Sequence, residues 1–258
     1  MCTLSLMALG CDGGNAGQSS GTDPRGSPPW VGGATKDFSG SCAPCEDAQV
    51  EEIANTDASA LGFSPAEVIA YVEGDYRANV RWHDTCAPDP CRQPQEGCSR
   101  EPNPLTGSHT ELTFAVRHDS TRPTRLRSCP GREAGKTCQD KIQLIPLTIE
   151  LSTSVGALRL QSSQDLFVEV GARLTLGENV KPENVSGDLL GQLGEVDWVR
   201  WMLWFDEYGA GADVSVVGPK AGDPERTAEL VNLLVETGNP NDAGCDVGFP
   251  LSHEAPAP

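Results

Sequence analysis

The sequence predicts a mainly β protein, either an antiparallel β-sandwich or an open barrel, with one or two short helices. At least six segments have the length and composition of strands, and several alternate apolar and polar residues with a period of two. Gly and Pro, which number 28 and 20, recur between these segments as turn residues. No repeat of fixed period is present, which argues against a propeller or a solenoid.

Three segments carry the alternation most clearly. The stretch "YRANVRW" (76–82) and the stretch "TELTFAVRH" (110–118) each place apolar residues on one face only. The stretch "DLFVEVGARLTL" (165–176) does so over twelve residues, which predicts one long strand there. The apolar faces consist of Tyr76, Ala78, Val80 and Trp82; Leu112, Phe114 and Val116; and Leu166, Val168, Val170, Ala172, Leu174 and Leu176.

Two further segments are apolar on both faces. "KIQLIPLTIEL" (141–151) changes phase beside Pro146, which predicts a bulge or an edge position. "DWVRWMLWFDE" (197–207) is followed by "YGAGA" and "DVSVVG", which together predict a hairpin whose first strand is central in the sheet.

Helix signals occur twice. Ser64 as N-cap, Pro65 in the first turn, Glu67 three residues after the cap and Gly74 as the stop predict a short helix. The segment from Pro224 to Thr237 is predicted to be a second helix, capped by Asp223, with Leu230, Val231 and Leu234 on one side. Its β-branched residues leave a strand as the alternative.

The charge balance limits the partners. The chain has 19 basic and 37 acidic residues, a formal net charge of -18, so a broad attraction to phosphate backbones is not expected. We therefore expect no nucleic-acid partner. No apolar run reaches the length of about 18 residues needed to cross a bilayer, so any membrane attachment is expected at the N-terminus.

The start of the chain points to that attachment. In "LSLMALGCDGGNAGQSSG" an apolar run ends at Leu-Gly-Cys and passes at once into Gly, Asn, Gln and Ser, and this resembles the cleavage box of a bacterial lipoprotein signal. The resemblance covers only the first dozen residues. It implies that Cys11 is lipidated and that the domain is anchored in the cell envelope outside the cytoplasm, or secreted. The alternative is a short cytoplasmic leader with an incidental Cys.

The chain divides into four parts on this interpretation. Residues 1–11 are a partial lipoprotein signal whose true start lies upstream, and residues 12–38 are a disordered tether rich in Gly, Ser and Pro. Residues 39–249 form a single disulfide-braced β domain, and residues 250–258 are a flexible tail. The domain is expected to work as one unit above a membrane surface.

Eight cysteines remain in that domain, an even number that predicts four disulfides in an oxidising compartment. One alternative is a redox pair at Cys42 and Cys45, and another is a zinc site formed by His83 with Cys86, Cys91 and Cys98. Disulfides are the preferred interpretation, and no metal or cofactor is expected. The eight are Cys42, Cys45, Cys86, Cys91, Cys98, Cys129, Cys138 and Cys245.

Seven basic residues lie between Arg117 and Lys141, and the rest of the chain is correspondingly more acidic. This stretch could orient the molecule on an acidic partner. The preferred interpretation is a solvated segment whose cations pair with nearby carboxylates.

The most unusual cluster is aromatic. If residues 198–206 form a strand, Trp198, Met202 and Trp204 share one face while Val199, Trp201, Leu203 and Phe205 share the other. One face must be core. The other is either core as well or an exposed platform for a ligand, with Asp206 and Glu207 beside it. The candidate ligand-binding residues are therefore Trp198, Trp204, Asp206 and Glu207.

Motifs of hydrolases, P-loop proteins and dinucleotide-binding turns are absent from the sequence. The sequence therefore predicts a non-catalytic envelope or surface module that binds an unknown protein or carbohydrate, and not an enzyme. The alternative is a carbohydrate-binding or carbohydrate-active protein that uses the Trp198 and Trp204 face, with Asp206 or Glu207 as an acid/base group. Burial of both tryptophans would exclude that alternative.

Overall fold

The computed structural model describes residues 25–31, 48–87, 106–129, 141–154, 156–193, 195–220, 223–234 and 249–255. Within these ranges the chain forms eleven strands, all paired antiparallel, and two short α-helices, so the predicted fold class is confirmed. In chain order the elements are β1 (Gln49–Glu52), α1 (Pro65–Val72), β2 (Gly74–Asp84), β3 (His109–His118), β4 (Arg125–Ser128), β5 (Lys141–Thr153), β6 (Arg159–Val168), β7 (Leu174–Val180), a 3-10 turn (Pro182–Asn184), α2 (Leu189–Leu193), β8 (Trp198–Asp206), β9 (Gly209–Lys220), β10 (Asp223–Leu234) and β11 (Phe249–Glu254).

The strands form one coiled sheet. Its successive positions are β6, β5, β3, β2, β10, β9, β8 and β7, while β11 continues the position of β10 between β2 and β9. The short β4 pairs with the start of β5, and β1 pairs with β4 as an outer edge. Because neighbours in the sheet are mostly neighbours in the chain, the topology is an up-and-down meander whose last strands pair with its first long strand.

The two end strands of this sheet meet through side chains. Gln164 of β6 donates from Nε2 to the carbonyl oxygen of Gly177 on β7 (3.1 Å) and accepts from the Gly177 N–H (3.3 Å). Ser162 donates to the Glu178 carboxylate at 2.6 Å. The sheet is therefore an open barrel that side chains of β6 and β7 close along one seam.

The interior of the barrel is apolar. The inward residues of β2, β3, β5, β8 and β9 are almost completely buried and form one continuous cluster. Within it Phe114 and Trp201 lie with ring centroids 6.0 Å apart, and Tyr76 and Phe205 lie 5.5 Å apart. The alternation predicted for residues 76–82 and 110–118 is thus confirmed.

Helix α1 packs against the barrel core and begins as predicted. The Ser64 hydroxyl accepts from the Glu67 N–H, and the Glu67 carboxylate accepts from the Ser64 N–H at 2.7 Å. These reciprocal bonds satisfy two donors that a helix N-terminus otherwise leaves unpaired. Val68, Tyr71 and Val72 then face the core.

Part of the predicted tether packs against helix α1. Trp30 is fully buried and meets Tyr71 edge-on, with ring centroids 5.1 Å apart, and its carbonyl oxygen accepts from Gly171 at 2.7 Å. Arg25 donates to the Tyr71 carbonyl oxygen at 2.7 Å. The prediction of a disordered tether is therefore wrong for residues 25–31, because burying an indole outweighs the flexibility of the Gly and Pro around it. The rest of 12–38, like the proposed signal 1–11, lies outside the described residues.

Two further predictions about the C-terminal region are wrong. The segment predicted as a helix over 224–237 forms strand β10 through Leu234, because β2 and β9 pair with it on both sides. A bulge between Glu229 and Val231 brings Leu230 and Val231 into adjacent buried positions, which produced the helix-like spacing. The predicted flexible tail from residue 250 instead supplies most of β11.

The strand predicted over 165–176 is also corrected. The chain leaves β6 at Val168, turns through Gly171 with φ of 74°, and enters β7 at Leu174. The turn preserves the parity of the alternation, so sequence periodicity could not detect it. Strand β5, by contrast, runs unbroken past Pro146. On one edge β5 pairs first with β4 and then with β3, and Pro146 lies in the gap between these two partners. The N–H that proline lacks is therefore not needed for a hydrogen bond of the sheet.

None of the helices in the described ranges is long and apolar enough to span a bilayer.

Candidate functional site

Strand β8 has one buried and one accessible face. Val199, Trp201, Leu203 and Phe205 are at most 1% exposed and face the barrel interior. On the opposite side Met202 is 38% exposed, and Trp198 and Trp204 are both half-buried. The predicted division of these residues between two faces is confirmed, and neither candidate tryptophan belongs to the buried core.

Small residues flank the accessible face. On β7, Gly177 lies opposite Met202, and on β9, Gly211 lies opposite Trp204. A Cβ atom at Gly211 would overlap the Cε2 and Cζ2 atoms of Trp204. The indole of Trp204 therefore lies against the Gly211 backbone, a close approach that only glycine permits. We call the outer side of β7, β8 and the adjoining part of β9 the tryptophan face.

A cation also lies against the Trp204 ring. The guanidinium carbon of Arg173 lies 4.2 Å from the ring centroid, within the range of a cation–π contact. Arg173 directly precedes β7, and its side chain remains 52% exposed.

A similar but looser pair lies at the opposite end of β7. The Lys181 ammonium is 5.9 Å from the ring centroid of Trp198. Lys181 directly follows β7, so cations stand at both ends of this strand, each beside a tryptophan of β8. The sequence analysis did not single out either cation, because the contact depends on the register between β7 and β8.

Asp206 and Glu207 lie at the turn that joins β8 to β9. Asp206 accepts from the Tyr208 N–H at 2.9 Å through Oδ1, and its Oδ2 lies 3.8 Å from Arg173. Glu207 and Tyr208 are exposed, with Tyr208 at 65%. Oδ1 of Asp206 thus stabilises the turn, while Oδ2 faces the adjacent cation. Both are positioning roles.

A polar network borders the tryptophan face on the β10 side. Arg200 donates to Glu229, lies 3.3 Å from the Ser215 hydroxyl and lies 3.9 Å from Asp213. Asn232 donates to the second Glu229 oxygen at 3.1 Å. Ser215 and Asn232 are buried although they lie on the outer side of the sheet. Sequence reasoning missed this network, because three strands contribute its members.

Three of the basic residues between 117 and 141 that the structure describes, Arg117, Arg122 and Arg125, are paired with carboxylates. Arg117 contacts Asp75 at 2.6 Å, Arg122 contacts Asp119 at 2.8 Å, and Arg125 contacts Asp165. These pairs agree with the preferred interpretation of a solvated segment matched to nearby acids.

Two of the eight cysteines, Cys86 and Cys129, lie among the described residues, and both are disulfide-bonded. The other six, including the Cys42 and Cys45 pair and the Cys91 and Cys98 positions of the zinc alternative, lie outside those residues, as does Cys11. Full pairing of all eight stays a prediction. In the described part of the chain, no group of three or more His, Cys, Asp or Glu side chains could hold a metal ion.

Comparison with models of known protein families, with curated proteins and with solved structures finds no match to this chain.

Proposed function

We propose that this protein is an exported, non-catalytic binding module that holds a carbohydrate on its tryptophan face. On this proposal the N-terminal lipid at Cys11 ties the module to the cell envelope, and the barrel carries the binding surface. The observation that carries the proposal is that β8 leaves two half-buried tryptophans and an exposed methionine on the outer side of a sheet whose inner side is fully buried.

Exposure of aromatic and thioether side chains to water is unfavourable, and a ligand that covers them removes this cost. A strip of such side chains on the protein surface therefore indicates a binding site. The low relief of this strip supports a sugar polymer. Because Gly177 and Gly211 carry no side chains, Met202 and Trp204 can lie close to the backbone of the neighbouring strands, so that the strip projects little and a sugar chain can lie along it.

The non-catalytic part of the proposal is supported by Asp206. A glycosidase acid/base group must be free to exchange a proton with the glycosidic oxygen. Asp206 instead accepts from the Tyr208 N–H and faces Arg173, which favours a structural carboxylate.

Affinity electrophoresis in native gels tests the proposal. The wild-type protein should be retarded by at least one of three embedded polysaccharides: xyloglucan, polygalacturonate or fully methyl-esterified polygalacturonate. Met202→Asp places a charge in the middle of the tryptophan face and should abolish that retardation. Val50→Asp is the matched control, because Val50 is 51% exposed on β1, and it should migrate like the wild type.

Retardation that survives Met202→Asp, or that Val50→Asp also abolishes, would contradict the tryptophan face as the binding surface. Absence of retardation in all three gels would contradict a carbohydrate ligand and would favour a protein partner.

A further inference from the structure

The Arg173 guanidinium is held in place, but its hydrogen-bond donors are not used by the described part of the protein. Trp204 fixes it at 4.2 Å, and its ion pair with Asp206 is 3.8 Å long, beyond the range of about 2.7–2.9 Å for a charge-assisted hydrogen bond. In the described part of the chain no hydrogen bond from its five N–H donors is recorded, and the side chain is half exposed.

Two arginines of the barrel, Arg122 and Arg200, are bound differently. Arg122 donates from Nε to Asp119 at 2.8 Å and from Nη1 to Asp165 at 3.2 Å, and Arg200 donates to Glu229 and Ser215. Their donors already serve carboxylates of the protein. Arg173 differs because its protein contacts position the cation while leaving its hydrogen-bonding edge to solvent.

We propose that Arg173, held on Trp204, binds a carboxylate of the ligand, and that the ligand is a uronic-acid glycan. This inference rests on the proposed function, since it assigns a chemical class to the carbohydrate on the tryptophan face. A guanidinium presents a planar fork of donors that matches a carboxylate in a bidentate pair, so a fixed and unsaturated arginine selects such a group.

Partial burial of Arg173 strengthens its preference for a carboxylate. Burial lowers the pKa of Arg173 from its ordinary value, and the Asp206 carboxylate partly offsets this effect. The group stays cationic at neutral pH, but its charge is incompletely solvated. An incoming anion therefore replaces lost hydration as well as adding a hydrogen-bonded pair.

The second cation indicates a polymer. Lys181 stands beside Trp198 at the other end of β7, and a strand of seven residues spans about 23 Å. A single sugar cannot reach both ends, whereas a chain of sugars can. The net charge of -18 repels a polyanion at long range, so recognition of one must depend on the few cations of the tryptophan face.

The test compares polygalacturonate with fully methyl-esterified polygalacturonate, which has the same backbone without the charge. By titration calorimetry, the wild-type protein should bind the acid form with a Kd about tenfold or more lower than the ester form. Arg173→Gln should remove this preference, and Lys181→Gln should reduce it. Arg159→Gln is the matched control: Arg159 is an exposed arginine of β6 paired with Glu150 at 2.7 Å, and its loss should leave both affinities unchanged.

Equal binding of the two polymers by the wild type, or an acid preference that survives Arg173→Gln with an unchanged melting temperature, would overturn the inference. If Met202→Asp still abolished binding in that case, the proposed function would stand without its acidic ligand. Polyglutamate binding as tightly as polygalacturonate would indicate an acidic peptide partner instead. No binding of either polymer, together with no retardation by xyloglucan, would overturn both proposals.

Discussion

Trp201 and Trp204 lie three residues apart on β8, and their side chains point to opposite sides of the sheet. Trp201 is 1% exposed and packs against Phe114 inside the barrel. Trp204 lies on the outer side in contact with Gly211 and Arg173 and is only half-buried. The period of two along a strand assigns one residue to the fold and the other to the surface, so residue type alone cannot indicate function.

The largest expected effect separates these two tryptophans. Trp201→Ala should lower the free energy of unfolding by about 3–5 kcal/mol, because it opens a cavity in a closely packed interior. Trp204→Ala should lower it by less than about 1 kcal/mol, since water already reaches this side chain. Chemical denaturation measures both values, and equal losses would contradict the division of β8 into two faces.

Trp30 provides a second comparison, between a core position and a tether. Trp30→Ala should lower the free energy of unfolding by about 3 kcal/mol or more, because the indole is fully buried against Tyr71. A residue in a solvated tether would cost almost nothing when truncated. A denaturation midpoint equal to that of the wild type would show that residues 25–31 do not pack in solution.

A smaller loss of stability should distinguish arginines that are hydrogen-bonded to a carboxylate from Arg173, which among the described residues is not. Asp165→Asn removes the carboxylate shared by Arg122 and Arg125 and should lower the free energy of unfolding by about 1 kcal/mol, since Arg125 loses its ion pair and Arg122 loses the second of its two carboxylate contacts in a partly buried setting. Asp206→Asn should cost less, because Arg173 is 3.8 Å away and remains on Trp204. The reverse order in thermal melts would contradict the view that Arg173 is only loosely paired.

The smallest expected effect concerns the helix cap and depends on pH. The Ser64 N–H and hydroxyl lower the pKa of Glu67 below its ordinary value of 4.5. A carboxyl whose folded pKa is depressed stabilises the fold above the unfolded pKa and loses that contribution as pH falls through the folded pKa. The stability difference between the wild type and Glu67→Gln should therefore be present at pH 7 and should shrink below pH 4.5. A difference that grew on acidification would contradict the capping box.

Much of the fold follows from the sequence because its signals are local. The Ser64 cap, the alternation of β2 and β3, and the two faces of β8 each depend on residues within one element. The misassigned segments depend on distant contacts. Pairing with β2 and β9 makes 223–234 a strand, and the contact with Tyr71 brings Trp30 into the core.

The candidate site was predicted only in part for the same reason. Periodicity placed Trp198 and Trp204 on one face, but it could not indicate that Arg173 and Lys181 would stand beside them, because that depends on how β7 aligns with β8. Nor could it show that Asp206 faces Arg173 across the hairpin end. Register between strands is the information that a single sequence lacks.

The most direct test of the tryptophan face is a titration followed by the indole N–H signals of the five tryptophans in ¹H–¹⁵N NMR spectra, each assigned with a single Trp→Phe variant. Addition of polygalacturonate oligosaccharides should shift the signals of Trp198 and Trp204 and leave those of Trp30, Trp82 and Trp201 in place, because the last three are buried. Shifts confined to the buried tryptophans, or no shift of Trp204 at saturating ligand, would contradict the account.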